Sequence, residues 1–257
     1  MKKYFILAAI IAVAFTSCKK ETIVTEHDGE ATVQFDAKVN NNDFVLNQNI
    51  TIGARTYNFK NLRYWVSNVA LVQANGTEVS VPNSYFLLEE TNAVTVQDGA
   101  YTYPASKREN VVVKNIPQAD YKAIKFSIGV DARHNDNLSL QAGELSQLSG
   151  MTNVSWMWHT SYIFSTLQGT VSDGVSTKNF KAETGLNTNY KTVTLNFPEA
   201  VKINSAKSTN LIFGLDIAKV LQNIDLITNP NVGAAQASIM TTLADNYAGA
   251  FSVQLVK

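Results

Sequence analysis

A single cysteine, Cys18, stands among 257 residues, so the chain forms no intramolecular disulfide. An exported domain without that crosslink has to be held together by its hydrophobic core. Three histidines leave little room for a conventional multi-histidine metal site. Charged residues make up only 16% of the chain, with 21 basic and 21 acidic, and no basic patch stands out, so nucleic acid is excluded as a partner. The chain has no Gly-x-Ser-x-Gly elbow, no His-Glu-x-x-His, no phosphate-cradling glycine loop and no cysteine available as a nucleophile. With no nucleophile–base pair or acid–base carboxylate pair visible either, the reading is that the protein is not an enzyme.

What is present begins with a leader. Lys2 and Lys3 form a basic start, and the apolar run from Tyr4 to Thr16 is too short for a comfortable membrane span. It ends at Phe15-Thr16-Ser17-Cys18, which resembles the lipobox of bacterial lipoproteins, where the cysteine is acylated after cleavage on its N-terminal side. Residues 1–17 are therefore read as a signal peptide and Cys18 as the lipidation site. Cleavage leaves 257 − 17 = 240 residues and, with Lys2 and Lys3 gone, 19 basic against 21 acidic residues. Residues 18–30 are polar and lack apolar periodicity, as a flexible tether does. The expected location is the cell envelope, lipid-anchored at the outer membrane, on its periplasmic or surface face.

From Ala31 the pattern turns to alternation. Val33, Phe35, Ala37 and Val39 mark a half-buried strand, and Asn40 to Asp43 is a turn cluster. Strands are predicted over 59–72, 85–88, 111–113, 124–130, 162–167 and 190–197, and Asn75-Gly76 is the strongest hairpin signal. Helical spacing occurs only over 215–221 and 238–247, the second with Ile239, Met240, Leu243 and Tyr247 on one face. Many short strands without an internal linker predict one all-β domain over 31–257, an antiparallel β-sandwich with one or two short helices.

The densest chemistry lies in Val154-Ser155-Trp156-Met157-Trp158-His159. Read as a strand, it sends Trp156 and Trp158 to one face and Met157 and His159 to the other. A thioether and an imidazole on one face suit a soft metal; equally, two indoles fill a core well. His134, in Asp131-Ala132-Arg133-His134-Asn135-Asp136, falls where a strand gives way to a loop and reads on its own as a polar loop histidine.

Several segments recur in one order: Phe59 to Val69, Tyr85-Phe86-Leu87-Leu88, Phe126 to Asp131, Gly150-Met151 leading to Trp156 through Phe164, Gln168-Gly169, Phe180 to Gly185, and Leu215-Asp216-Ile217. This series resembles the MbnP family, periplasmic proteins named from methanobactin gene clusters and common among Bacteroidetes lipoproteins. The resemblance implies an all-β sandwich that binds copper. It also implies that a tryptophan of the Trp-x-Trp stretch, Trp156 or Trp158 here, is oxidised to kynurenine by a di-haem peroxidase-like partner. His134 matches a family histidine and becomes a candidate ligand; His159 and Met157 are added on chemical grounds. Glu183 stands where related lipoproteins carry a histidine, and His159-Thr160-Ser161 replaces a common Asn-Ser/Thr-Gly, two departures that bear on the site. The expected function is a copper-binding, copper-handling lipoprotein. The alternative is a metal-free surface lipoprotein that binds a glycan, peptide or protein partner, with Trp65, Tyr101 and Tyr103 as further contact candidates.

Overall fold

Apolar residues at every second position build the first strand, β1 (Gly29–Val39), on which Val33, Phe35, Ala37 and Val39 are all buried. It starts at Gly29, inside the stretch expected to be tether. The computed structural model describes residues 28–96, 99–153 and 161–256. The leader, Cys18, most of the expected tether and residues 154–160 lie outside them.

Ten strands of six residues or more carry the architecture among the described residues. After β1 come β2 (Arg55–Gln73), β3 (Tyr85–Thr91), β4 (Asn110–Ile116), β5 (Ala119–Ile128) and β6 (Ser161–Ser172). They are followed by β7 (Thr177–Gly185), β8 (Lys191–Ile203), β9 (Thr209–Asp216) and β10 (Phe251–Val256). One sheet runs β4–β1–β9–β10 and the other β8–β5–β2–β6–β7, with short strands added around β2. Phe35 and Phe251 from the first sheet meet Phe126 of β5 edge-on, with ring centroids 5.3 and 5.2 Å away. Each such buried ring contributes about 2–3 kcal/mol of transfer free energy. The all-β sandwich expected from the strand spacing is the architecture found.

One long pairing within that sandwich is parallel. β1 and β9 run parallel over eight registered pairs, from Ala31–Thr209 to Lys38–Asp216. Alternation records which face a residue occupies and carries no sign of strand direction, so sequence pattern does not reveal such a pairing. Three α-helices occur among the described residues, α1 (Ala132–Asn135), α2 (Ile217–Val220) and α3 (Ala237–Gly249). α2 is shorter than its apolar spacing suggests because Leu215 and Asp216 still pair with β1. The Asp216 carboxylate then caps it, accepting from the Ala218 amide at 2.9 Å. α3 buries Met240, Leu243, Ala244 and Tyr247 against the second sheet, with Ile239 only partly covered. The Asn75-Gly76 turn is as expected: Gly76 has φ +94°, and Asn75 Oδ1 accepts from the Thr77 amide at 2.8 Å.

Candidate metal centre

A strand has two edges, and β2 changes partners along one of them. Asn61 to Tyr64 pair with β3 and β6, whereas Val66 and Ser67 pair with β3 and β5. β5 and β6 therefore share the edge opposite β3 and part company at Trp65. The Gly129 amide makes the last bond of β5, donating to Trp65 O at 2.9 Å. The chain leaves through this fork at residue 129, and residues 152–153 pair with the start of β6 through Thr152–Tyr162 and Asn153–Ser161. Nearly all the chemistry singled out in the sequence sits on residues 129–160.

Gly129 is needed at the fork for two reasons. Its φ is +114°, a conformation costly for other residues, and a Cβ there would lie 2.5 Å from Phe164 Cδ2. Beyond it, Val130 is buried and Asp131 begins α1. An aspartate at this position ordinarily caps its own helix, yet the Asp131 side chain makes no capping bond. It turns instead to Tyr85 on β3, which donates its hydroxyl to Asp131 Oδ2. Asn68 Nδ2 donates to the same oxygen at 3.3 Å and to Tyr190 Oη at 2.6 Å. Asn68 holds this place with φ +50°, at a register shift of β2 against β5.

His134 completes the group. Its Nδ1 lies 3.2 Å from Asp131 Oδ1 and 3.0 Å from Tyr85 Oη, and its ring packs 4.9 Å from the tyrosine ring. Burial pushes the Asp131 carboxyl up, but hydrogen bonds from Tyr85, His134 and Asn68 outweigh that and hold it below the usual carboxylate range. Burial, followed by the bond to Asp131, raises the Tyr85 phenol. An ionised carboxylate only accepts, so a neutral His134 facing it carries its proton on Nδ1. The lone pair is then on Nε2, which makes no hydrogen bond among the described residues. A histidine oriented by a carboxylate through one nitrogen, with the other left basic, is the arrangement metal-ligating histidines use.

α1 is a single turn and does not hold itself in place. Asn135, which is buried, fixes it: Oδ1 accepts from the Tyr162 amide at 2.8 Å and Nδ2 donates to Asn187 Oδ1 at 2.9 Å. Asn187 in turn donates to both Asp136 oxygens, at 2.9 and 3.0 Å. His134 is thus tied to the start of β6, where the central stretch rejoins the sheet.

The other expected site residues fall into two groups. Trp156, Met157, Trp158 and His159 lie outside the described residues. Glu183 is described, and it does not converge with His134. It pairs with Thr166, which pairs with Arg63, whereas Tyr85 pairs with Ser67. Glu183 and Tyr85 are separated by about 13 Å along the strand direction and three strand spacings, about 14 Å, across it. The Glu183 carboxylate contacts Lys181 Nζ at 3.2 Å and Thr166 Oγ1 at 3.5 Å. Trp65 is fully buried and Tyr103 donates to Glu89, which leaves Tyr101 as the exposed one of the three further candidates. Sequence reasoning missed Tyr85, Asn68 and Tyr190 as members of the site. Asp131 offered a faint signal, a cap residue ahead of a histidine three positions on.

One other cluster of metal-type ligands occurs among the described residues, Asp36, Asp43 and Glu109. It already holds Lys107, whose Nζ lies 3.6 Å from Asp43 and 3.3 Å from Glu109.

No curated protein matches the chain in sequence. Among solved structures, MbnP from Methylosinus trichosporium superposes with a TM-score of 0.50 at 17% identity, covering 77% of this chain and 79% of the other. That likeness is one of fold. The sequence profile of the MbnP family matches residues 28–241, nearly the whole described domain, and the chain belongs to the MbnP family.

Proposed function

We propose that this protein captures copper in the cell envelope and hands it on, with His134 as a ligand through Nε2. The reading rests on one observation, the Asp131–His134–Tyr85 group, in which a carboxylate and a phenol orient the imidazole through Nδ1 and leave Nε2 without a hydrogen bond among the described residues. Imidazole suits both cuprous and cupric copper. In the same proposal Cys18 carries the lipid anchor, and the remaining donors come from Met157, His159 and a kynurenine formed from Trp156 or Trp158 by a di-haem peroxidase-like partner. Glu183 is left out of the ligand set because its carboxylate is spent within the sheet. Copper is cargo here, and no turnover is proposed.

The test is a titration of the mature protein with Cu(I) against a chromogenic chelator. His134→Ala is expected to weaken binding at least about tenfold while leaving the far-UV circular dichroism intact. Equal affinities for the two proteins remove His134 from the site. Mass analysis of the peptide spanning Trp156 and Trp158, from protein made in its native host, tests the modified tryptophan separately. Two unmodified indoles remove that ligand.

A further inference from the structure

We infer that Glu144, paired with Arg108, is a positioning residue for the His134 centre, acting through the backbone of Tyr85; this rests on the metal-binding reading of His134. The reason lies in how the chain crosses between sheets. The short strand Ser106–Arg108 pairs with the outer edge of β3 from Thr91 back to Glu89. At Asn110 the chain has joined the other sheet as β4, and the Phe35 amide already donates to Glu109 O at 2.8 Å. The outer edge of β3 is thereby left without a strand at Leu87 and Tyr85, where unpaired backbone groups are costly.

The turn Ala142–Leu145 fills that gap. The Glu144 amide donates to Tyr85 O at 3.0 Å, and its carboxylate accepts from the Leu87 amide at 3.0 Å. Arg108 closes the set, donating to both Glu144 oxygens and to Leu87 O at 3.2 Å. Gly143, with φ +52°, lets the turn sit this close: a Cβ there would lie 2.5 Å from Asn83 O and 2.8 Å from Tyr85 O. Ala142 and Leu145 on either side are buried in the core. Glu144 therefore supplies the missing strand edge through its carboxylate at Leu87 and through its amide at Tyr85, the residue whose hydroxyl contacts both Asp131 and His134. A small shift of Tyr85 releases the phenol from Asp131 and with it the preference of His134 for a proton on Nδ1.

The experiment reads the His134 side-chain tautomer by nitrogen-15 NMR in the metal-free protein, and Cu(I) affinity beside it. Glu144→Ala is expected to turn a single Nδ1–H tautomer into a mixture and to weaken Cu(I) about tenfold. Glu144→Gln keeps an acceptor for the Leu87 amide and is expected to restore most of both signals. Should Glu144→Ala not fold, Arg108→Met carries the test, because it frees the carboxylate and removes the bond to Leu87 O while leaving an acceptor for the Leu87 amide, and it is expected to shift both signals in the same direction by less. If wild type binds Cu(I) through His134 and Glu144→Ala changes neither tautomer nor affinity, the positioning role is wrong. If the tautomer shifts but wild type binds no Cu(I), the positioning role stands and the metal reading fails.

Discussion

Removing Glu89 is expected to cost the domain a large share of its stability. Its carboxylate lies 2.8 Å from Arg63 Nε, with the two side chains only 4% and 1% exposed. It also accepts the Tyr103 hydroxyl at 2.8 Å. Among the described residues Arg63 has no replacement partner to hand, since its Nη2 is already buried without one and its guanidinium sits 4.4 Å over the Tyr103 ring. Glu89→Leu therefore strands a buried cation, at a cost of about 3–5 kcal/mol. The lost phenol bond adds about 1 kcal/mol. Against a typical total of about 5–15 kcal/mol, the expected fall in Tm is about 10–20 °C for a domain of this size. Thermal and urea unfolding followed by circular dichroism measures it. The double variant Arg63→Met/Glu89→Leu removes the stranded charge and should be more stable than Glu89→Leu alone, because the cost comes from breaking the pair and not from losing it. A loss under about 1 kcal/mol for Glu89→Leu, or a double variant worse than the single, would falsify the claim that this pair is sealed from water.

Two further substitutions test the fork and the sheet beside it. Gly129→Ala forces a methyl group into Phe164 at a positive φ and should cost about 2–5 kcal/mol; a variant that unfolds in urea like wild type shows that the fork tolerates a side chain. Glu183 is pushed up by burial, a rise that Lys181 and Thr166 only partly offset, so the folded state holds its proton more tightly than the unfolded chain. Stability from this group is then full below the ordinary glutamate range and lost as pH rises through the raised value. Glu183→Gln should gain on wild type as pH goes from about 4 towards 7, and a stability difference that stays flat across that range refutes the burial argument.

The sandwich was legible from sequence because its signal is local. Val33, Phe35, Ala37 and Val39 declare one face of β1, and Asn75-Gly76 declares its turn through residues that only such a turn favours. The parallel β1–β9 pairing was not legible, since it joins residues some 180 positions apart and leaves the alternation of both strands unchanged. The candidate site divides in the same way. His134 was found through a matched position, a signal carried by its own neighbourhood. Its partners were not, because Asn68, Tyr85 and Tyr190 come from three different strands or strand ends and read singly as ordinary strand residues. Glu183 shows the opposite error: a suitable residue type at a matched position, placed by strand register on a different row of the sheet.

The place of the site follows from the length of β2. At 19 residues it outruns any one neighbour, so two strands must share its edge, and the chain between them has to leave the sheet where they meet. Backbone groups at and beside such a junction have lost their ladder partners, and side chains take over: Asn135 for the Tyr162 amide, Glu144 for the Leu87 amide. Polar side chains thus become fixed in positions where a sheet interior would exclude them. A histidine held among them has its orientation set before any metal arrives, which lowers the entropy cost of binding. If His134 takes copper as proposed, the junction at Trp65, and not the sandwich as such, is what positions it. Transferring the His134 turn to a continuous sheet edge should give a histidine with mixed tautomers and no preference for copper over any exposed imidazole.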